Sequence, residues 1–116
     1  MAAMGCLFCK IVNREIPSQI VSENDHVLAF RDINPQAPTH VLVIPKKHIT
    51  GVHDANDTHK EMLSELVLAG TRVAAELGLA EKGYRLVINQ GQDGGQSVHH
   101  LHLHVLGGRP MGWPPG

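Results

Sequence analysis

Residues 98–106 read Val-His-His-Leu-His-Leu-His-Val-Leu, a stretch in which three histidines alternate with aliphatic residues. Successive side chains of a β-strand point to opposite faces of its sheet. The alternation therefore predicts a strand that carries His100, His102 and His104 on one face. The aliphatic residues would lie on the opposite face and pack against a core: Leu101, Leu103 and Val105.

Distance limits what such a row of imidazoles can do. At about 3.3 Å per residue, His100 and His104 would lie about 13 Å apart along the strand. Metal ligands lie about 2 Å from their ion, so one ion cannot bind all three rings. The row instead favours either a two-histidine metal site or a central imidazole that acts as a nucleophile while its neighbours bind the reacting anion.

Length and charge narrow the class of protein. A chain of 116 residues is expected to form a single domain over residues 1–116. Lys and Arg number 10 and Asp and Glu number 11, so we expect no nucleic-acid partner. No apolar stretch approaches the roughly 20 residues that span a membrane, and the N-terminus lacks a signal-peptide pattern. We therefore expect no membrane association and a cytoplasmic protein.

Cys6 and Cys9 form a C-x-x-C motif. In a cytosolic protein this spacing indicates a metal half-site or a redox pair more than a structural disulfide. The redox interpretation is disfavoured because no strand is predicted before the pair. His48 and His100 are candidates to complete a Cys2His2 zinc site, and two inert thiols remain the alternative.

The remaining pattern predicts an α+β fold: an antiparallel sheet of about five strands with one long helix and a short N-terminal helix. The short helix covers residues 7–13, with Phe8 and Ile11 facing inward. Besides the histidine strand, four segments are predicted as strands: Ile20–Glu23, His26–Arg31, residues 39–45 and Tyr84–Asn89.

The long helix is predicted from about Thr58 to Leu77. Thr58 and Glu61 fit a capping box at its start, and Gly78 is placed to end it. Apolar residues recur at helical spacing and should face the sheet: Met62, Leu63, Leu66, Ala69, Gly70, Val73 and Leu77.

A glycine-rich turn, residues 91–95, precedes the histidine strand, and Ser97 follows it. Glycines let backbone N–H groups approach an anion, and Ser97 adds a hydroxyl. Beside a face of imidazoles this turn suggests an oxyanion or phosphate site. The chain contains no P-loop, no serine-nucleophile motif and no H-E-x-x-H.

These motifs together resemble those of a known family. The stretch His100-Leu-His-Leu-His-Val-Leu106 is similar to the H-φ-H-φ-H-φ-φ signature of the histidine triad (HIT) superfamily. Further motifs resemble its Hint branch, the purine nucleoside phosphoramidases: Asp32-Ile-Asn-Pro-Gln-Ala-Pro-Thr-His40, Pro45-Lys-Lys-His48, Gly94-Gly-Gln-Ser97, Leu106-Gly-Gly-Arg-Pro110 and Trp113-Pro-Pro-Gly116. The resemblance spans about residues 5–116.

The resemblance implies a homodimer of HIT-like fold that binds a purine mononucleotide and hydrolyses the P–N bond of nucleoside 5′-phosphoramidates, with no cofactor required for catalysis. His102 would be the nucleophile, held through Nδ1 by the His100 carbonyl, and would form a covalent nucleotidyl-histidine intermediate. His104 would contact the phosphate, and His40 and His100 would complete the network. Ser97 would lie near the leaving group.

The resemblance also implies a nucleotide pocket. The base would contact Phe8, Ile11, Ile16, Phe30 and Ile33. Asp32 would bind the ribose hydroxyls, with Asn34 beside it, and Asn89 would lie on the phosphate side. Backbone N–H groups of Gly95, Gln96, Ser97 and Val98 would stabilise charge on the phosphate.

Three positions depart from the family pattern. The C-x-x-C is absent from the animal members, in which no zinc is expected. His99 replaces a more typical aromatic residue and is expected on the apolar side, in the core or an interface. Gly112 leaves the tail without a side chain that could reach across a dimer, which affects the leaving-group preference.

Three other functions compete with phosphoramidate hydrolysis. One is a Fhit-like dinucleoside polyphosphate hydrolase, which shares the triad but cleaves a P–O–P bond. Another is a nucleotide-binding regulatory protein in which hydrolysis is incidental. The third is a two-histidine metalloenzyme.

Overall fold

A computed structural model of the chain describes residues 5–116. These residues form three α-helices: α1 (Leu7–Val12), α2 (Lys60–Glu76) and the one-turn α3 (Gly91–Gly94). The strands are β1 (Ile20–Glu23), β2 (Val27–Arg31), β3 (Thr39–Pro45), β4 (Tyr84–Val87) and β5 (Leu103–Gly107). Two short 3₁₀ turns, Val52–Asp54 and Asp57–His59, precede α2.

The five strands form one antiparallel sheet in the order β1-β2-β3-β5-β4. The histidine strand β5 therefore lies inside the sheet, between β3 and β4. The predicted α+β arrangement, with five strands, one long helix and a short N-terminal helix, is confirmed.

Strand alternation divides the sheet into two apolar faces. In β3, Val41 and Val43 belong to the cluster that packs under α2. Leu42 and Ile44 point the other way and join Phe8 and Ile11 of α1. The sheet is thus covered by α2 on one face and by α1 on the other, and α1 leaves part of its face open.

Helix α2 approaches β5 closely because Gly70 has no side chain. A Cβ at this position would lie 2.7 Å from Leu103 Cδ2. Leu66, Ala69 and Val73 continue the buried stripe, as predicted. Within residues 5–116, no helix combines the length and the hydrophobicity that crossing a bilayer requires.

The predicted capping box of Thr58 and Glu61 is wrong, and α2 begins slightly later than predicted. Asn56, not Thr58, caps this region: its side chain accepts from the Thr58 N–H at 2.9 Å, and its own N–H donates to His59 Nδ1 at 3.0 Å. This reciprocal pair builds a 3₁₀ turn first, so α2 begins only at Lys60. The end is as predicted, with Gly78 just beyond it at φ +78°.

The predicted extent of the histidine strand is also wrong. β5 begins at Leu103, so only His104 of the three histidines lies in the ladder. The β3–β5 pairing ends at Val43–Leu103, and Pro45, two residues further along β3, has no N–H that could extend it. Leu101 instead donates to the Ile49 carbonyl at 2.7 Å. The strand predicted to Asn89 likewise ends at Val87.

Candidate active site

A cavity of about 220 Å³ opens on the sheet face that α1 partly covers. Its apolar wall comes from α1, β2, β3 and the segments beside them: Leu7, Phe8, Ile11, Ile16, Phe30 and Leu42. Its polar wall is small and includes Asp32, Ser97, His102 and His104. An apolar cavity with a few convergent polar groups is the usual form of a small-molecule site.

A hydrogen bond to the backbone holds the His102 ring through Nδ1 and leaves Nε2 without that contact. Its Nδ1 lies 2.7 Å from the His100 carbonyl oxygen, and its side chain is buried. A carbonyl can only accept, so Nδ1 carries the proton and the neutral ring keeps its lone pair on Nε2. The Phe8 ring meets the His102 ring edge-on, 5.1 Å between centroids, and limits its rotation. The ring therefore offers a nucleophilic nitrogen.

His100 is fixed by the same kind of contact. Its Nε2 donates to the Pro45 carbonyl at 2.8 Å, so its lone pair is on Nδ1. Its ring is fully buried, and that burial lowers the pKa of His100 to about 4. His100 thus stays neutral near pH 7, with its carbonyl holding His102 and its ring turned away from the cavity.

His40 and His104 form a second imidazole pair on neighbouring strands. His40 Nε2 lies 2.9 Å from His104 Nδ1, and the Asp32 carboxylate lies 3.4 Å from the same His40 nitrogen. Burial lowers the pKa of both rings, that of His104 to about 4. His104 Nε2 is the one buried side-chain nitrogen or oxygen without a hydrogen-bond partner among residues 5–116. Such an orphaned atom beside a cavity indicates a ligand contact.

The four predicted metal ligands converge behind His102. Ligand atoms of Cys6, Cys9, His48 and His100 all lie within 4.8 Å of one another. His48 Nδ1 and His100 Nδ1 are 3.1 Å apart, and the recorded sulfur–nitrogen distances are 3.3–3.6 Å. A tetrahedral zinc site with usual bond lengths has edges of about 3.4 Å between nitrogens and about 3.6 Å between nitrogen and sulfur. The donor set and spacing therefore fit zinc.

The remaining predicted residues divide into two groups. Ile33 and Val98 line the cavity, Ile33 at its rim with its side chain almost fully exposed. Four other residues that were predicted to bind substrate are not among the residues that line the cavity: Asn34, Asn89, Gly95 and Gln96.

Gln96 has a structural contact instead. Its side chain accepts from the Gly91 N–H and donates to the Thr50 and Val98 carbonyls. It braces the turn around α3 and so shapes the loop that ends at Ser97.

Sequence reasoning missed several cavity residues, among them Pro17, Ser18, Arg31 and Leu42. The signal for Leu42 was present, because a strand over residues 39–45 places it on the same face as His40. The others lie at or beyond element ends, where no periodicity applies.

The prediction that His99 lies in the core is wrong. Its side chain is exposed, because the backbone bends through residues 98–100 and breaks the strand alternation there. His99 lines a separate surface depression with Thr50 and His48.

The fold and the histidines beside an apolar cavity define a histidine triad protein. The sequence profile of the HIT domain matches residues 13–111. The chain is 50% identical over 106 residues to the purine nucleoside phosphoramidase of Escherichia coli, covering 91% of this chain and 89% of that one. It is 55% identical over 112 residues to a 14 kDa zinc-binding protein of Zea mays, covering 95% and 87% of the two chains.

A solved structure agrees with these sequence relatives. The HIT family hydrolase of Legionella pneumophila superimposes with a TM-score of 0.95 at 55% identity, covering 97% of this chain and all of that one. The chain belongs to the HIT family.

Proposed function

We propose that the protein hydrolyses the P–N bond of purine nucleoside 5′-phosphoramidates through a covalent intermediate on His102. The observation that carries this proposal is the contact of His102 Nδ1 with the His100 carbonyl, which leaves the Nε2 lone pair in a ring that lines the cavity. The E. coli relative bears the name of this activity.

The reaction has two displacements. His102 Nε2 attacks the α-phosphorus, the P–N bond breaks, and the amine leaves with a proton from the site or solvent. The phosphorylated ring still carries its Nδ1 proton and is cationic, and the His100 carbonyl accepts from that proton and stabilises the charge. Water then attacks phosphorus and loses a proton to solvent, the bond between phosphorus and His102 Nε2 breaks, and the nucleoside monophosphate leaves with the neutral His102 ring restored. One difficult displacement is thus divided into two easier ones.

Charge on the phosphate would be met by three groups. His104 Nε2 lacks a partner within residues 5–116 and borders the cavity. Ser97 contributes a hydroxyl, and the backbone N–H groups of Ser97 and Val98 follow the one-turn helix α3, because those of Gly95 and Gln96 already donate to the Gln92 and Gly91 carbonyls. Donors fixed before the reaction stabilise developing charge without reorganisation.

The nucleoside would occupy the apolar part of the cavity. Phe8 and Phe30 meet edge-on with 5.5 Å between ring centroids and offer aromatic surface to a base. Asp32, at the end of β2, would accept the ribose hydroxyls. A volume of about 220 Å³ suits one nucleoside better than two, which favours this reaction over cleavage of a dinucleoside polyphosphate.

We further propose that Cys6, Cys9, His48 and His100 hold a structural zinc ion. The Zea mays relative is named as zinc-binding, and four of the six distances among the ligand atoms, 3.1–3.6 Å, match the edges of a tetrahedral site. With four protein ligands the ion would have no open position for substrate, so it would cross-link α1 to the loops after β3 and before β5.

A homodimer is proposed on the free edge of the sheet. β4 is the terminal strand and all four of its residues are half-buried. On α2, Val67 and Leu68 expose 42% and 53% of their surface. Sedimentation of the wild type and of Leu68→Lys tests this: a dimer that the substitution dissociates is expected, and a monomeric wild type contradicts the proposal.

Trapping the intermediate tests the proposed reaction. The protein is mixed with an adenosine 5′-phosphoramidate and quenched in alkaline denaturant, because phosphohistidine hydrolyses in acid. An AMP-sized mass increment is expected on the peptide that contains His102, and it should be lost in His102→Ala together with at least about 10⁴-fold of the activity. His99→Ala, which changes an exposed neighbouring histidine, is the matched control and should retain activity.

Stereochemistry provides an independent measurement. Two successive inversions at phosphorus give net retention, so a substrate with a chiral phosphorus should yield product of retained configuration. Net inversion, or turnover by His102→Ala at the wild-type rate, would overturn the covalent mechanism.

A further inference from the structure

We propose that the backbone N–H of Gln36 is a positioning group for catalysis: it sets the proton arrangement of His40 and His104, so that His104 presents an N–H to the phosphate. This inference deepens the proposed function and relies on it for the identity of the anion. It assigns a role to a loop residue that does not line the cavity.

The first step is the contact between Gln36 and His40. The Gln36 amide nitrogen lies 3.0 Å from His40 Nδ1. An amide N–H can only donate, so Nδ1 must hold a lone pair and the neutral ring must carry its proton on Nε2. His40 is buried and its pKa is lowered by that burial, which keeps the ring neutral.

The second step passes this arrangement to His104. His40 Nε2, now the donor, lies 2.9 Å from His104 Nδ1. His104 Nδ1 must therefore accept, and its ring carries the remaining proton on Nε2. That nitrogen is the one left without a partner within residues 5–116. The outcome is an unpaired N–H on a residue that lines the cavity, and an N–H is the polarity that a phosphate oxygen needs.

The same atoms do not suit a metal ion. Ligand atoms of Asp32, His40 and His104 lie within 4.8 Å of one another. An ion among them would need a lone pair on His40 Nε2 while Nδ1 still accepts from Gln36. His40 would then have to lose both ring protons, so the contacts fit a hydrogen-bond relay instead.

The loop that carries Gln36 is tied at both of its ends and from the tail. The Asp32 N–H donates to the His40 carbonyl, which closes the loop at its base. Asp32 Oδ1 accepts from the Asn34 N–H at 2.8 Å. Arg109, beyond β5, donates to the Gln36 carbonyl at 3.0 Å. The relay is therefore fixed by the backbone before any substrate binds.

The direct test is the tautomer state of the wild-type protein. Long-range ¹H–¹⁵N correlation spectra distinguish Nδ1–H from Nε2–H imidazoles, and both His40 and His104 should be Nε2–H at neutral pH. Finding the proton on His40 Nδ1 would overturn the proposal whatever the activity. This measurement needs no substrate, so it separates the inference from the proposed function, which fails if the wild type hydrolyses no phosphoramidate.

A matched pair of variants tests the consequence. Gln36→Ala removes the side chain but keeps the N–H, whereas Gln36→Pro removes the N–H itself. We expect Gln36→Ala to keep the wild-type tautomers and kcat. Once its amide spectrum shows that Gln36→Pro is folded, this variant should show mixed tautomers at His40. Its kcat should fall about fivefold, which is the equivalent of one neutral hydrogen bond, and its KM should change less. If Gln36→Pro does not fold, the wild-type spectrum decides. Wild-type tautomers and kcat in a folded Gln36→Pro would refute the role.

Discussion

Removing the proposed zinc ion from the Cys2His2 cluster should lower the free energy of unfolding of the protein. The cluster is already assembled: His100 Nε2 is fixed on the Pro45 carbonyl, and Cys6 Sγ accepts from the Cys9 N–H at the start of α1. Zinc would thus bind the folded chain with little ordering cost. At free zinc about 100 times its Kd, linkage adds about 2.7 kcal/mol of stability. At about 4 °C per kcal/mol for a chain of this size, metal removal should lower Tm by about 10 °C.

Calorimetry on the full chain provides the assay. The protein is stripped with a chelator, and Tm is measured before and after one equivalent of zinc, with bound zinc counted by elemental analysis. Cobalt supplies a second readout, because tetrahedral thiolate coordination gives it strong visible absorption. His48→Asn should lower Tm and zinc content, whereas His53→Asn, an exposed histidine outside the cluster, should change neither.

The reasoning is refuted if the purified protein binds no zinc and one equivalent leaves Tm unchanged. It is also refuted if His53→Asn and His48→Asn behave alike. Because the ion would have no open coordination position, the stripped protein should retain kcat within about tenfold well below its lowered Tm. If the stripped protein is folded but inactive, and added zinc restores its activity, the result would instead support a metalloenzyme.

Three further predictions concern the cavity. Because burial lowers the pKa of His104 to about 4, the unfolded chain takes up a proton first as the pH falls below about 6.5. Between pH 7 and 5.5 the wild type should therefore lose about 1 kcal/mol more unfolding free energy than His104→Gln in urea titrations, and equal losses would contradict the shift. Asp32→Asn should raise KM for a ribonucleoside phosphoramidate about tenfold, through the loss of charged hydrogen bonds. It should change KM much less for the 2′,3′-dideoxy analogue, and a uniform effect would argue against ribose binding. An adenosine phosphoramidate should be hydrolysed with a higher kcat/KM than diadenosine triphosphate, and the reverse order in a paired assay would favour the Fhit-like function.

The faces of the sheet could be read from the sequence because strand periodicity is local. Alternation over residues 100–105 predicted which side chains enter the core, and Leu101, Leu103 and Val105 are indeed buried there. The apolar residues of α2 that face the sheet could be predicted for the same reason. The same local rule failed at His99, where a bend interrupts the alternation.

Element ends could not be read so well, because they depend on partners far away in sequence. β5 starts at Leu103, which pairs with Val43, and Pro45 two residues further along β3 has no N–H to extend the pairing; no pattern within residues 98–106 contains that information. The start of α2 depends on which of two nearby residues, Asn56 or Thr58, caps the helix. Asn56 does so because its side chain and backbone N–H make the reciprocal capping contacts with this turn and His59.

What the sequence determined by itself was the chemistry that is present: alternating imidazoles, a C-x-x-C pair, a glycine-rich turn and the motifs of the HIT family. Tertiary structure alone decided how those groups are used. The Pro45 carbonyl orients His100 and the Gln36 N–H contacts His40. Both anchors are backbone groups, which every residue carries and which no sequence pattern marks, whereas the contact of the His100 carbonyl with His102 was implied by the family resemblance. The positions of the ring protons of His100 and His40 therefore follow only from the path of the chain around them.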